Sequence, residues 1–327
     1  MRARRSVWSD DKVQTLLASF VIVADEVGRL QRGDDAESSV FQGFCEQGHY
    51  GGRTLPTQTR QGIYAIAPSG HFLASINSTQ PDMVAGMLRT ALERWQELPD
   101  EQRQLPPEKL QKVAATKRFD DRYPEDGLVL AEYLRDLGRK VEARDWRTQA
   151  WNQDQAWFTK AEAQSLLPAE IKVGAATLVP SRLVERIARL HLVDAVRGQT
   201  PAFNKDAVVA AELRTEVVGV DGNRVQLRLS GHTHTLAKGR WVISDRGQPA
   251  DQERGVKTEL TGRAVWNRDA ARFESFELLA IGERWGATQY NQRGDDTAPT
   301  RIGFAFVLAP KDHPHVAPAF WWDYDLR

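Results

Sequence analysis

The stretch VWSDDKVQTLLASFVIVADEV, Val7 to Val27, passes from a helical pattern to a strand pattern within one short segment. Ser9 can cap a helix whose first turn carries Asp10 and Asp11, acids that a helix N-terminus favours. Val13, Leu16, Leu17 and Phe20 then repeat at helical spacing. The run FVIVA is short and β-branched, which predicts a buried strand. After it, GRLQRGDDAESS is polar and rich in Gly, Asp and Ser, and predicts a loop.

Working outward, GIYAIAPSGHFLASIN places two apolar runs around Pro68, Ser69 and Gly70, residues that supply turn geometry, and predicts a hairpin. In QPDMVAGMLRTALERW, Thr79 is the expected cap and Pro81 falls in the first turn. Val84, Met87, Leu88, Ala91, Leu92 and Trp95 form one apolar stripe of that helix. The order is helix, strand, hairpin, helix.

On that order, and on WSDDKVQTLLASFVIVADE and GIYAIAPSGHFLAS, residues 6–96 resemble the thioredoxin-like superfamily, in particular divergent members with an "sDpeV...L...FV.v..D" segment. The resemblance implies a thioredoxin-like α/β domain. Two departures separate it from the family's activity. The chain holds one cysteine, Cys45, so the Cys-x-x-Cys pair is absent, and the proline that the family places before the hairpin is replaced by Thr59 to Gly62, TRQG. Dithiol exchange needs a second sulfur to resolve the mixed disulfide.

The charged, proline-bearing ELPDEQRQLPPEKLQKV then reads as an exposed boundary. DGLVLAEYLRDLGRKV predicts a helix, Thr159 and Glu162 a capping box, and SRLVERIARLHLVDAV a helix from Pro180 to a stop at Gly198. Strands dominate thereafter. AELRTEVVGVDGNRVQLRLSG carries Asp221-Gly222 between alternating runs, TELTGRAVWNRDAARFESFELLAIG repeats the pattern, and RIGFAFVLA adds a last strand. The expected fold class is α+β: a thioredoxin-like α/β domain followed by helices packed on a mainly antiparallel sheet. The expected domains are residues 1–98, a helical connector at 99–170, and an α+β domain at 171–327.

Of 327 residues, 41% are hydrophobic, and 44 basic side chains balance 44 acidic ones. That balance speaks against nucleic acid or an anionic membrane as partner, since either calls for a basic excess. Arg2, Arg4 and Arg5 read as a solvated terminus. No apolar run of about twenty residues spans a membrane, and no apolar stretch follows the first arginines as in a secretory signal. A lone cysteine excludes an intrachain disulfide and fits a reducing compartment, so the expected location is cytoplasmic.

Cys45 precedes His49 by four residues, so on a helix they share a face, and a histidine within reach lowers a thiol's pKa. The catalytic candidates are therefore Cys45, His49 and Arg53. The alternative for Cys45 is a small buried hydrophobe beside Phe41 and Phe44. In GHYGGRT, Gly48 to Thr54, a glycine pair before an arginine can let backbone amides and a guanidinium approach an anion, the alternative being a flexible surface loop. His232 and His234, with His313 and His315, make two pairs of metal-ligand type, but the first pair falls on the polar side of its strand. His191 reads as a core histidine and Asp194–Arg197 as a pair one helical turn apart. Trp146, Trp151 and Trp157 do not keep one helical face and read as a folded-in connector. The loop GERWGATQYNQRGDD supplies the ligand-binding candidates Arg284, Trp285, Tyr290, Asn291 and Arg293. The leading expectation is a binding or scaffold protein without dithiol exchange, meeting a small molecule or a protein partner, with no cofactor and no metal. A thiol-dependent oxidoreductase using Cys45 alone and a histidine metal-binding protein are the alternatives.

Overall fold

The computed structural model describes residues 7–8, 10–23, 27–51, 59–78, 80–115, 122–138, 146–244, 247–312 and 315–324. They form two compact units that divide between residues 121 and 122.

In the N-terminal unit, α1 (Asp11–Leu17) is capped by Asp10, whose carboxylate accepts the Lys12 and Val13 N–H groups at 3.0 and 3.3 Å. Then come α2 (Val27–Arg32), α3 (Ala36–Gln47), the hairpin β1 (Ile63–Ile66) and β2 (Phe72–Ile76), α4 (Pro81–Glu97) and α5 (Pro107–Ala114). Gly70 sits in the hairpin turn at φ 81°, a left-handed conformation that glycine adopts without cost. Val13, Ala65, Leu73, Val84, Leu88 and Ala91 meet in the core of this unit.

Two local expectations fail here. Val21, Ile22 and Val23 form no strand and are 93%, 67% and 71% exposed. Among the described residues the sheet of this unit contains β1 and β2 alone, so this β-branched run has no ladder to join. The polar run after it is largely helical. Asp35 accepts the Ser38 N–H at 2.8 Å and starts α3, because the Asp and Ser that signal a loop are also the residues that cap helices. The caps expected at Ser9 and Thr79 lie outside the described residues.

The C-terminal unit is built on an eight-stranded antiparallel sheet in the order β4-β3-β10-β9-β8-β7-β6-β5. Its strands are β3 (Leu128–Asp136), β4 (Trp151–Phe158), β5 (Ala176–Leu178), β6 (Val208–Asp221), β7 (Arg224–Trp241), β8 (Ala250–Asn267), β9 (Arg272–Trp285) and β10 (Thr300–Leu308). Short helices α6 (Trp146–Gln149), α7 (Lys160–Gln164) and α8 (Ser181–Arg186) lie between them. Consecutive long strands from β6 to β10 pair as a meander, and β3 and β4 join at the β10 edge.

One face of this sheet is apolar at Leu213, Leu227, Leu229, Leu260, Leu278, Phe304, Phe306, Leu134 and Leu130. Leu183, Val184, Ile187, Leu192 and Val196 pack against those side chains, so α8 and the chain after it cover the inner face. The expected fold class is thereby corrected. An antiparallel sheet dominates, in place of a thioredoxin-like α/β domain followed by helices packed on a sheet, and it takes in residues 128–136 and 151–158, where the sequence predicts helix and connector. The helix predicted from Pro180 to Gly198 is also shorter. It gives way to a π-turn at Ile187–His191, closed by the Leu192 N–H donating to the Ile187 carbonyl at 2.9 Å.

Candidate functional site

In the N-terminal unit, Cys45 lies on α3 and is fully buried. Burial pushes its thiol pKa up to about 11, against smaller lowering effects of the Tyr64 hydroxyl and Arg60. His49 is engaged with other partners. Its Nδ1 lies 2.7 Å from the Ser75 hydroxyl, and its ring stacks on Tyr64 at 5.2 Å. Arg53 lies outside the described residues. His49 does line a cleft of about 420 Å³ with Ser75, Thr90, Arg94, Phe72 and Met87, formed between the end of α3, strand β2 and helix α4.

In the C-terminal unit, the pleat sends Glu132 and Asp136 of β3 to the inner face. Two polar centres grow from these acids. At Glu132 the neighbouring strand places Asp154 directly opposite. His191, at the end of the π-turn, brings Nδ1 to 2.7 Å from Glu132 Oε2 and 3.6 Å from Asp154 Oδ2. Its Nε2 is 2.5 Å from the Tyr324 hydroxyl, which also accepts the Trp157 N–H at 3.1 Å. The Ala319 N–H donates to both Asp154 oxygens, at 2.9 and 3.2 Å.

Burial sets the protonation of this centre. It raises Glu132 well above the usual carboxylate range. It also pushes Asp154 up to about 6, with His191 opposing and Glu132 reinforcing, and His191 down to about 4. His191, read from the sequence as a core histidine, is buried with both ring nitrogens bonded, and its acidic neighbours Glu132 and Asp154 stand far upstream in the chain.

At Asp136 a network of ion pairs closes. Arg293 forks onto Asp136 at 2.6 and 2.9 Å and onto Asp194 at 2.8 and 2.8 Å. Arg197 donates to Asp136 at 2.9 Å and pairs with Asp296 at 2.8 Å. Arg284 pairs with Asp296 at 2.7 Å. Asp194 therefore meets Arg293, and the predicted pairing with Arg197 one turn on is not made. Gly198 allows this seating, since a Cβ there would strike the Tyr290 carbonyl.

Of the five ligand-binding candidates, Arg284 and Arg293 are thus enclosed in ion pairs, both fully buried. Asn291 accepts the Thr288 N–H at 3.0 Å, and Trp285 donates from its indole to Glu253 at 3.1 Å. Tyr290 is 53% exposed. They do not converge on one exposed surface. His232 is exposed and His234 half-buried on the outer side of β7, His315 stacks on Tyr123 at 3.6 Å, and His313 lies outside the described residues. Among the described residues, no helix is long and apolar enough to cross a membrane. Comparison with known protein-family models, curated proteins and solved structures gave no match.

Proposed function

We propose that the chain is a binding protein without thiol chemistry, and that its N-terminal unit takes a small ligand bearing an anionic group in the cleft beside His49 and Arg94. The observation that carries this reading is the cleft's lining: Arg94, which donates to the Leu73 carbonyl, and the hydrogen-bonded pair His49–Ser75 stand there with Thr90, Phe72 and Met87, and no carboxylate is among the lining residues. The carbonyl end of α3 brings about half a negative charge to the same place. The full charge of one guanidinium outweighs it.

Support for the absence of thiol chemistry comes from Cys45: a thiol held near pKa 11 is almost entirely protonated at neutral pH, and the thiolate is the nucleophile.

Two measurements test this. Iodoacetamide is expected to leave Cys45 unmodified in the native chain and to modify it after denaturation. Rapid native alkylation would return the single-cysteine oxidoreductase to first place. Titration with inorganic phosphate and with acetate, followed by amide NMR shifts, is expected to move the signals of residues 47–49 and 72–75 in the native chain but not in Arg94→Gln. No shift with either anion, or equal shifts in the variant, would sink the anion site.

A further inference from the structure

We infer that Glu132, Asp154 and His191 form a binding site for a divalent transition-metal ion, with Tyr324 holding the histidine in its ligating tautomer. This site lies in the C-terminal unit and does not depend on the reading of the N-terminal cleft. One oxygen from each carboxylate and one nitrogen of the imidazole lie within 4.8 Å of one another, close enough to share one ion.

The charges around the site favour a cation. Elsewhere in this unit the buried acids have matching arginines: Asp136 and Asp194, with the half-buried Asp296, face Arg197, Arg284 and Arg293, while Glu162 faces Arg182 and Arg186. Glu132 and Asp154 stand directly opposite on neighbouring strands, where like charges repel. Among the described residues, no lysine or arginine lies within 4 Å of either. Arg186, stacked over the Tyr324 ring at 4.7 Å, is committed to Glu162 by a two-pronged pair at 3.0 and 2.9 Å. A divalent ion balances two carboxylates and a neutral imidazole to zero net charge, which is what an apolar interior tolerates.

The histidine is aimed for this role. Its observed contacts suit either tautomer. In one, Nδ1–H donates to Glu132 and the Tyr324 hydroxyl donates to Nε2. In the other, Nε2–H donates to Tyr324 and the Nδ1 lone pair faces the two carboxylates. The metal selects the second and displaces the proton that otherwise lies between Glu132 and Nδ1. Tyr324 then acts as the outer partner that metal-bound histidines show on their second nitrogen. The π-turn at Ile187–His191 sets the backbone that presents the ring, and such turns recur at functional sites. An imidazole among two carboxylates favours Zn²⁺, Fe²⁺ or Mn²⁺ over Ca²⁺ and Mg²⁺, which prefer oxygen ligands alone.

The test uses the full chain without a histidine tag. After stripping with EDTA it is titrated with Zn²⁺ by calorimetry, and Co²⁺ is added separately as an absorbing probe. One equivalent of Zn²⁺ per chain is expected to bind, with Co²⁺ giving visible bands that Zn²⁺ removes. Asp154→Asn preserves volume and is expected to weaken Zn²⁺ by more than about 100-fold. Tyr324→Phe leaves all three ligands in place and is expected to weaken it by about 10–100-fold, the usual effect of an outer partner. His232→Ala with His234→Ala is expected to change nothing. Absence of Zn²⁺ binding and of Co²⁺ bands in the unsubstituted chain overturns the site whatever the variants do. So does binding that survives Asp154→Asn but is lost with the His232 and His234 substitutions.

Discussion

Arg293 shows how much of this molecule rests on single side chains. Its guanidinium is completely buried and forks onto two aspartates at once, Asp136 and Asp194. A lysine has one point charge and no fork, so Arg293→Lys cannot serve both. Arg293→Met leaves buried carboxylates without their main partner, and removal of one member of a buried pair costs about 3–5 kcal/mol. Urea unfolding of the C-terminal unit is expected to show that loss for Met and an intermediate loss for Lys. A loss below about 1 kcal/mol for Met would mean that Arg197 and Arg284 carry the network alone. The loop containing Arg293 is readable in the sequence as a cluster of polar and aromatic residues, the composition of a ligand loop. Its partners stand 99 and 157 residues away, a distance over which no local pattern reports pairing.

Among the elements, what could be read locally was legible and what depended on distant partners was not. Hairpin β6–β7 is announced by Asp221-Gly222, and Gly222 takes the positive φ of 56° that such a turn needs. Helix α7 is announced by Thr159 and Glu162, and both halves of the capping box are formed. Strand β3 is disguised. Leu130 and Leu134 at helical spacing mimic a helix, and the inward positions Glu132 and Asp136 break the apolar alternation because they serve the two polar centres. Of the candidate metal ligands, Glu132 was hidden for the same reason.

The short helices α7 and α8 are tied by Glu162, which receives Arg182 at 2.8 Å and Arg186 at 3.0 and 2.9 Å. Burial would raise the pKa of Glu162, but Arg186, the Thr159 N–H and Arg182 outweigh it and hold it below the usual value. With a lowered folded-state pKa, the unfolded chain takes up the proton first on acidification. The stabilisation is therefore full above the unfolded value of about 4.3 and fades as pH falls through the folded one. Urea midpoints measured from pH 7 to pH 3 are expected to fall less steeply below pH 4.3 in Glu162→Gln than in the native chain, from a lower plateau at neutral pH. Parallel curves in the acid range would remove Glu162 from the acid response.

At the scale of the whole molecule, the chain has two separate cores. One gathers Val13, Leu73, Val84 and Leu88 about a two-stranded hairpin, and the other gathers side chains from an eight-stranded sheet. A two-stranded hairpin has little stability of its own and needs a covering helix, which α4 supplies. The larger sheet unit buries a greater share of its surface, as larger domains do. Calorimetry is accordingly expected to resolve two transitions, the lower from the N-terminal unit and the upper from the C-terminal one. Two substitutions assign them. Val84→Ala removes buried methyl groups from the first core and should lower the first transition alone, whereas Arg293→Met should lower the second alone. If both substitutions shift one common transition, the units unfold as a single cooperative body, and stability of the polar centres in the sheet then depends on the N-terminal core as well.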